Sequence, residues 1–304
     1  MIDLQDGLGS NGSDHELVSA VAARVAAGKC ILFLGAGVHA PPPESSSSSY
    51  PEAERPLMGG SLAEELAREC RFQEKFPRES PRNLQRVSFC YELQAGKSRA
   101  DLVMAVDEKV NSSKRPSPVL RALADLDFPL VITTNYDQLF ERALAGVGKS
   151  PQVVVYSKNG DDPTPDPMRW SAQEPLFFKI HGDIRRPESI VITDEDYIHF
   201  ILRMSDKDPY HPVPDTFRYY FKRWPILFVG YSLLDYNFRL LFKTLRWKID
   251  PANIPTTFSV DPAPDALIVQ VYSAREKYVT FIGRDVWTFL PDLYKQVLGR
   301  DMSL

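Results

Sequence analysis

The chain has 304 residues, 43% hydrophobic and 25% charged. This balance excludes a wholly disordered polypeptide and supplies enough apolar material for one large domain or a domain with a substantial insertion. Its formal net charge of −4 argues against general nucleic-acid binding, and no apolar run approaches the roughly 20 residues needed to span a bilayer. Cys30, Cys70 and Cys90 contain no Cys-x-x-Cys pair, so neither a structural zinc site nor a disulfide framework is readable, and a reduced cytoplasmic setting is expected.

Residues 1–12 are rich in Gly, Ser, Asn and Asp and are expected to form a flexible leader. Leu17, Val18, Val21, Ala22 and Val25 fall at helical spacing, with Ser13 or Asp14 as cap and Gly28 as stop. Cys30 to Leu34 reads as a buried strand that runs into Gly35-Ala36-Gly37-Val38-His39-Ala40. Glycines there let the backbone approach a pyrophosphate and present amide hydrogens to it. The Pro41-Pro42-Pro43 run and the serines 45–49 that follow cannot be helical. This departs from an ordinary dinucleotide-binding dehydrogenase, and the loop reads either as a lid or as a solvated insertion. A capping-box pattern at Ser61-Leu62-Ala63-Glu64 predicts a helix to about Arg71. Residues 83–126 carry further apolar helical faces, broken near Gly96 and at Arg115-Pro116, which read as a layer over a sheet or as a partner interface.

An apolar strand from Phe128 ends in Thr133-Thr134-Asn135-Tyr136-Asp137, with Asp137 in the first turn of the next helix. In parallel sheets the carboxyl ends of strands are where ligands bind, so Asn135 and Asp137 are expected to share a crevice with the Gly35 turn; capping of the helix is the other use for either side chain. Val153 to Tyr156 predicts a strand, 159–168 a polar loop, and Phe177 to His181 a strand that delivers His181 beside Gly182 and Asp183. An imidazole at a strand end is suited to proton transfer near neutral pH. A short strand at 189–192 and a helix capped by Thr193 follow, then an aromatic-rich helix within 210–223. Pro225 to Val229 is a buried strand leading to Gly230-Tyr231-Ser232, with Asp235 and Asn237 opening a helix to about Trp247. Thr256 to Val260 ends in Asp261, which either holds ribose hydroxyls or caps a helix starting near Pro264; Val279 to Ile282 is a last strand and 285–298 a last helix.

Gly35-Ala36-Gly37, Thr133-Thr134-Asn135-Tyr136-Asp137, His181-Gly182-Asp183 and Gly230-Tyr231-Ser232-Leu233, in that order, resemble the sirtuin superfamily. They look most like its bacterial branch associated with NAD consumption in anti-phage defence. The resemblance implies a Rossmann-like α/β fold, a mainly parallel sheet flanked by helices, for residues 13–304. Segments 61–126 and 183–224 would form a smaller helical module, with no zinc ribbon. It makes Asn135 and His181 the catalytic pair and assigns NAD contacts to Gly35, Ala36, Gly37, Val38, Thr133, Asp137, Asp183, Gly230, Ser232, Asp235, Asn237 and Asp261. Sirtuin deacylases carry a four-cysteine zinc module before the Gly-x-Ser strand, where this chain has no cysteine after Cys90, which argues against protein deacylation.

The activity so implied is hydrolysis of NAD to nicotinamide and ADP-ribose without a metal. Asn135 would fix a water, and His181 would take the proton from that water or from a ribose hydroxyl. The rival readings are an NAD-dependent deacylase or ADP-ribosyltransferase, and a non-catalytic NAD- or ADP-ribose-binding scaffold. Unrestrained NAD loss would kill the host, and with the chain ending at Leu304 no further sensor domain is expected. The expected control is therefore self-assembly into a homo-oligomer, or a separate partner such as a ring-forming ATPase or an Argonaute-like protein. Direct nucleic-acid contact and membrane attachment are not expected.

Overall fold

Short runs such as Ile31-Leu32-Phe33-Leu34 are apolar at every position because both faces of their sheet are covered. The computed structural model describes residues 11–158, 170–205, 213–233, 255–272 and 279–303. Among them one parallel sheet contains β1 (Ile31–Leu34), β2 (Leu130–Thr133), β3 (Gln152–Val155), β4 (Leu176–Lys179), β5 (Ile226–Val229), β6 (Thr257–Val260) and β7 (Val279–Ile282). The spatial order is β3-β4-β2-β1-β5-β6-β7, a Rossmann-like α/β arrangement. From β1 the chain lays β2 beside it, then β3 at the edge and β4 between β3 and β2, and returns to β5 on the other side of β1, so the topological switch lies beside β1.

The helices are α1 (Asn11–Ala26), α2 (Gly59–Glu69), α3 (Phe72–Lys75), α4 (Leu84–Glu92), α5 (Arg99–Val110), α6 (Pro118–Asp125), α7 (Leu139–Gly146), α8 (Asp194–Ser205), α9 (Asp215–Phe221), α10 (Ala266–Val271) and α11 (Val286–Leu298). Strand side chains alternate between faces. Leu32, Leu34, Val131, Phe177 and Val229 share a core with α1, α6, α7 and α11; Ile31, Phe33, Ile132, Phe178 and Phe228 share one with α8 and α9. A third cluster joins α2, α4 and α5 to Tyr136, Ile184, Ile190 and Ile192. Among the described residues of 183–224, Ile184, Ile190 and Ile192 pack with α2, α4 and α5, while Val191 and residues of α8 and α9 pack on the sheet.

Register positions the site. Leu34 pairs with Thr133 and with Val229, and Thr133 pairs with Lys179. Four strands therefore end level, and Gly35, Thr134, Ile180 and Gly230 leave the sheet at one edge.

Several boundaries differ from the sequence expectation. The helix predicted from Ser61 starts at Gly59, because the Met58 carbonyl already accepts the Leu62 N–H at 2.8 Å. Residues 189–192 form no strand. Pro187–Ser189 is a 3-10 turn, and of the following residues Val191 donates to the His181 carbonyl and accepts from the Tyr136 hydroxyl, so no ladder forms. Asp137 precedes its helix rather than opening it, and Asp265, not Asp261, caps α10. The leader up to residue 10, the 159–168 loop and the helix expected after Ser232 lie outside the described residues.

Asp196 anchors the start of α8. Its carboxylate receives Arg99 at 2.7 Å, Lys158 at 2.5 Å and the Ile192 and Thr193 amides at 3.0 Å each. Burial pushes this carboxyl up, but Lys158, the two amides and Arg99 hold it down to about 2. The folded value lies below the unfolded value of about 3.9. The stabilisation is therefore complete above about pH 4 and is lost as pH falls toward 2. Asp196→Asn is expected to lower the urea midpoint at neutral pH and to flatten its decline between about pH 4 and 2; an unchanged acid limb would contradict this anchor.

Candidate active site

The level strand ends open into a cavity of about 440 Å³ lined by Ala36, Gly37, His39, Thr134, Asn135, Tyr136, Asp137, His181, Tyr197, Gly230, Tyr231 and Ser232. Pro56, Leu57, Gly59, Leu62, Leu84 and Val110 form the remaining, largely apolar wall. A cleft with one apolar wall and a few convergent polar groups is the usual form of a small-molecule site.

After β1 the chain makes a single 3-10 turn, Ala36–His39. The turn is locked to the β5 loop, since Gly37 donates to the Gly230 carbonyl at 2.8 Å. Gly230 has φ +67°, and a Cβ there would collide with the Val38 amide nitrogen. Only glycine fits both the left-handed backbone and this close approach. Gly230→Ala is expected to destabilise the fold by about 1–3 kcal/mol and to displace the Ala36–Gly37 wall. A urea titration checks it, and a loss below a few tenths of a kcal/mol would sink the argument.

Beyond β2, the Thr133 hydroxyl donates to the Leu34 carbonyl at 3.1 Å and accepts the Asn135 N–H at 3.0 Å. Thr133 thus supports the loop from beneath, which leaves Asn135 half-buried at the cavity wall. Asp137 is 7% exposed. Its Oδ1 accepts the Leu139 N–H at 2.8 Å, and its Oδ2 lies 3.2 Å from His39 Nε2. Burial pushes the Asp137 carboxyl up; pairing with His39 and the Lys179 ammonium behind it reverse this and hold it below the usual carboxylate range.

His181 is held in an aromatic bracket. Tyr197 and Phe200 meet its ring edge-on at 5.3 Å each, and its Nδ1 lies 3.5 Å from the Tyr197 hydroxyl. The ring is 5% exposed and borders the cavity.

Lys179, at the end of β4, is wholly buried. Its ammonium donates to the Asp137 carbonyl at 2.7 Å and to Glu141 at 3.0 Å, and pairs with Asp183 at 3.3 Å. Burial raises the Glu141 carboxyl against the pull of Lys179. Asp183 is raised by burial too, but Arg185 and Lys179 bring it below the ordinary range.

The cavity thus gathers Ala36, Gly37, Asn135, Asp137, His181, Gly230 and Ser232. The other described residues to which the resemblance assigned NAD contacts do not line it. Gly35 and Val38 serve the turn itself: a Cβ on Gly35 would strike Gly230, and Val38 is in the core. Thr133 faces the backbone. Asp183 is turned toward Lys179 and Arg185, and Asp261 accepts the Ala263 N–H in its own turn, two strands from β1. Asp235 and Asn237 lie outside the described residues. His39, Lys179 and Tyr197 have no role in the motifs readable from the sequence. A lysine inside the apolar run Leu176 to Ile180 was a readable signal, because a charge in a central strand requires buried partners. Among the described residues, no group of three or more His, Cys, Asp or Glu is arranged to hold a metal ion.

The loop after the glycine turn is fastened along its length. Trp287 donates to the Ala40 carbonyl at 3.1 Å, Tyr50 to the Arg115 carbonyl at 2.8 Å, and Lys114 to the Ala53 carbonyl at 3.1 Å. Its end, at Pro56 and Leu57, walls the cavity.

A family model described as SIR2-like domain matches residues 129–282, just over half the chain. The chain belongs to the SIR2-like domain family. The match starts just ahead of β2 and ends with β7, so it takes in the SIR2-like segments carrying Asn135, His181 and Ser232. The chain is 29% identical over 157 residues to a protein named NAD(+) hydrolase ThsA from Enterococcus faecium, covering 52% of this chain and 30% of that protein. It is 31% identical over 131 residues to the ThsA of Cytobacillus dafuensis, covering 41% and 23%. It is 25% identical over 242 residues to Defense-associated sirtuin 2 of Bacillus subtilis, covering 78% and 21%. This SIR2-like chain therefore corresponds to less than a third of the length of these relatives. No described helix is long and apolar enough to cross a membrane.

Proposed function

We propose that the chain is an NAD glycohydrolase that cleaves NAD to nicotinamide and ADP-ribose, acting as a regulated effector of bacterial anti-phage defence by NAD depletion. The observation that carries this reading is the convergence of the Ala36–Gly37 turn, Asn135, Asp137, His181 and Ser232 on one cavity. The relatives named as NAD(+) hydrolases and as a defence-associated sirtuin support it.

The chemistry fits these positions. The Ala36 amide at the start of the turn and the Ser232 hydroxyl suit the pyrophosphate and adenine-side ribose, and the apolar wall suits the nicotinamide ring. Cleavage breaks the bond between C1′ and the pyridinium nitrogen. The bonding pair passes to that nitrogen and neutralises it, while positive charge develops on the ribose. Asn135 holds a water on the exposed carbon; the water oxygen bonds to C1′, and its proton passes to His181. Asp137 engages the nicotinamide ribose.

Control is placed in self-assembly or in a separate regulatory partner, a ring-forming ATPase or Argonaute-like protein. The test is chromatography of nicotinamide and ADP-ribose after incubating NAD with the protein over a range of concentrations, alone and in its assembled state. Intact NAD under all of these conditions would overturn the reading, and a rate per chain that rises with protein concentration would support assembly control.

A further inference from the structure

His39 ends the 3-10 turn and is 3% exposed. It meets Asp137, 98 positions away in sequence, at the cavity wall. The two Asp137 oxygens have separate donors, Leu139 N–H on one and His39 Nε2 on the other, so the plane of the carboxylate is fixed from both ends. Nδ1 of His39 is buried with no hydrogen-bonding partner. A proton there would be buried without an acceptor, which assigns the ring proton to Nε2, directed at Asp137. The same contact joins the loop after β1 to the loop after β2.

We infer that His39 is a positioning residue for Asp137, holding its carboxylate in the one orientation from which it can accept a ribose hydroxyl of the bound dinucleotide. This rests on the NAD-hydrolase reading. A carboxylate held by two donors presents its remaining lone pairs in set directions, so none of its orientation has to be found when substrate binds. Released from His39, it keeps only the Leu139 amide and can swing about that single bond.

The test is steady-state NAD cleavage by the full chain carrying His39→Ala, His39→Gln, Asp137→Ala and the double substitution His39→Ala with Asp137→Ala. His39→Ala is expected to lower kcat/KM by roughly 10²-fold, the usual consequence of a small misplacement of a working group. His39→Gln, whose amide N–H can donate from a similar distance along the side chain, is expected to recover most of that loss. The double variant is expected to be no slower than Asp137→Ala alone. Nitrogen-15 spectra of the wild type are expected to show the proton on Nε2. The inference is overturned if His39→Gln is as slow as His39→Ala while both keep the wild-type urea midpoint, if the two single losses multiply in the double variant, or if the proton is on Nδ1. A wild-type chain that leaves NAD intact overturns the hydrolase reading and not the pairing, which the nitrogen spectra decide by themselves.

Discussion

On the proposed NAD-hydrolase reading, His181→Ala is expected to slow NAD cleavage by about 10²–10⁴-fold, the range for loss of a positioned proton acceptor. Asn135→Ala is expected to cost roughly 10²-fold through loss of the oriented water. Both side chains stand at the ends of adjacent, register-matched strands and border one cavity. His181 packs against Tyr197 and Phe200, so truncation also opens space there. Calorimetry with ADP-ribose therefore accompanies the rate measurement. Retained binding with lost turnover places the defect in the chemical step, because an interaction used only in the transition state lowers kcat without weakening the ground-state complex. Variants that cleave NAD at the wild-type rate would remove both residues from the mechanism.

Lys179→Met is expected to destabilise the protein by about 3–5 kcal/mol, the cost of removing one partner from a buried ion set. The ammonium is 0% exposed and serves the Asp137 carbonyl, Glu141 and Asp183 together. Asp183 retains Arg185 at 3.0 Å, but Glu141, whose second carboxylate oxygen already has no partner, would be left as a buried carboxyl. Adding Glu141→Gln is therefore expected to recover part of the loss, since a neutral amide is cheaper to bury than an unpaired charge. A urea titration measures both, with an unchanged slope confirming a change in stability rather than in compactness. A loss below about 1 kcal/mol, the scale of an exposed pair, would mean that the lysine is not the tie between these loops.

How much was legible from the sequence depends on the distance over which each signal acts. The strands were read almost to the residue because an unbroken apolar run between turn residues has few other uses; Val279–Ile282 and β5 are examples. The helices within 83–126 were legible from their apolar spacing, and the breaks at Gly96 and Arg115-Pro116 fall between α4, α5 and α6. Residues 189–192 misled for the same reason. Ser-Ile-Val-Ile has the composition of a strand, but Ile190 and Ile192 fill the α2–α4–α5 cluster, Val191 packs into the α8–α9 core, and no neighbouring strand offers the segment a ladder.

Apart from 189–192, the sequence by itself determined the kind and order of the seven described strands, and it placed Asn135, His181 and Gly230-Tyr231-Ser232 just beyond strands, because periodicity and turn chemistry act over a few residues. Only the tertiary structure decided which of the strand-end groups meet. The register sets Leu34, Thr133, Lys179 and Val229 level, and this brings His39 to Asp137 and turns Asp183 toward a buried lysine instead of the cavity. Those outcomes depend on the side to which each loop turns after its strand. Pairing between residues nearly a hundred positions apart sets that choice, and no local pattern in the chain records it.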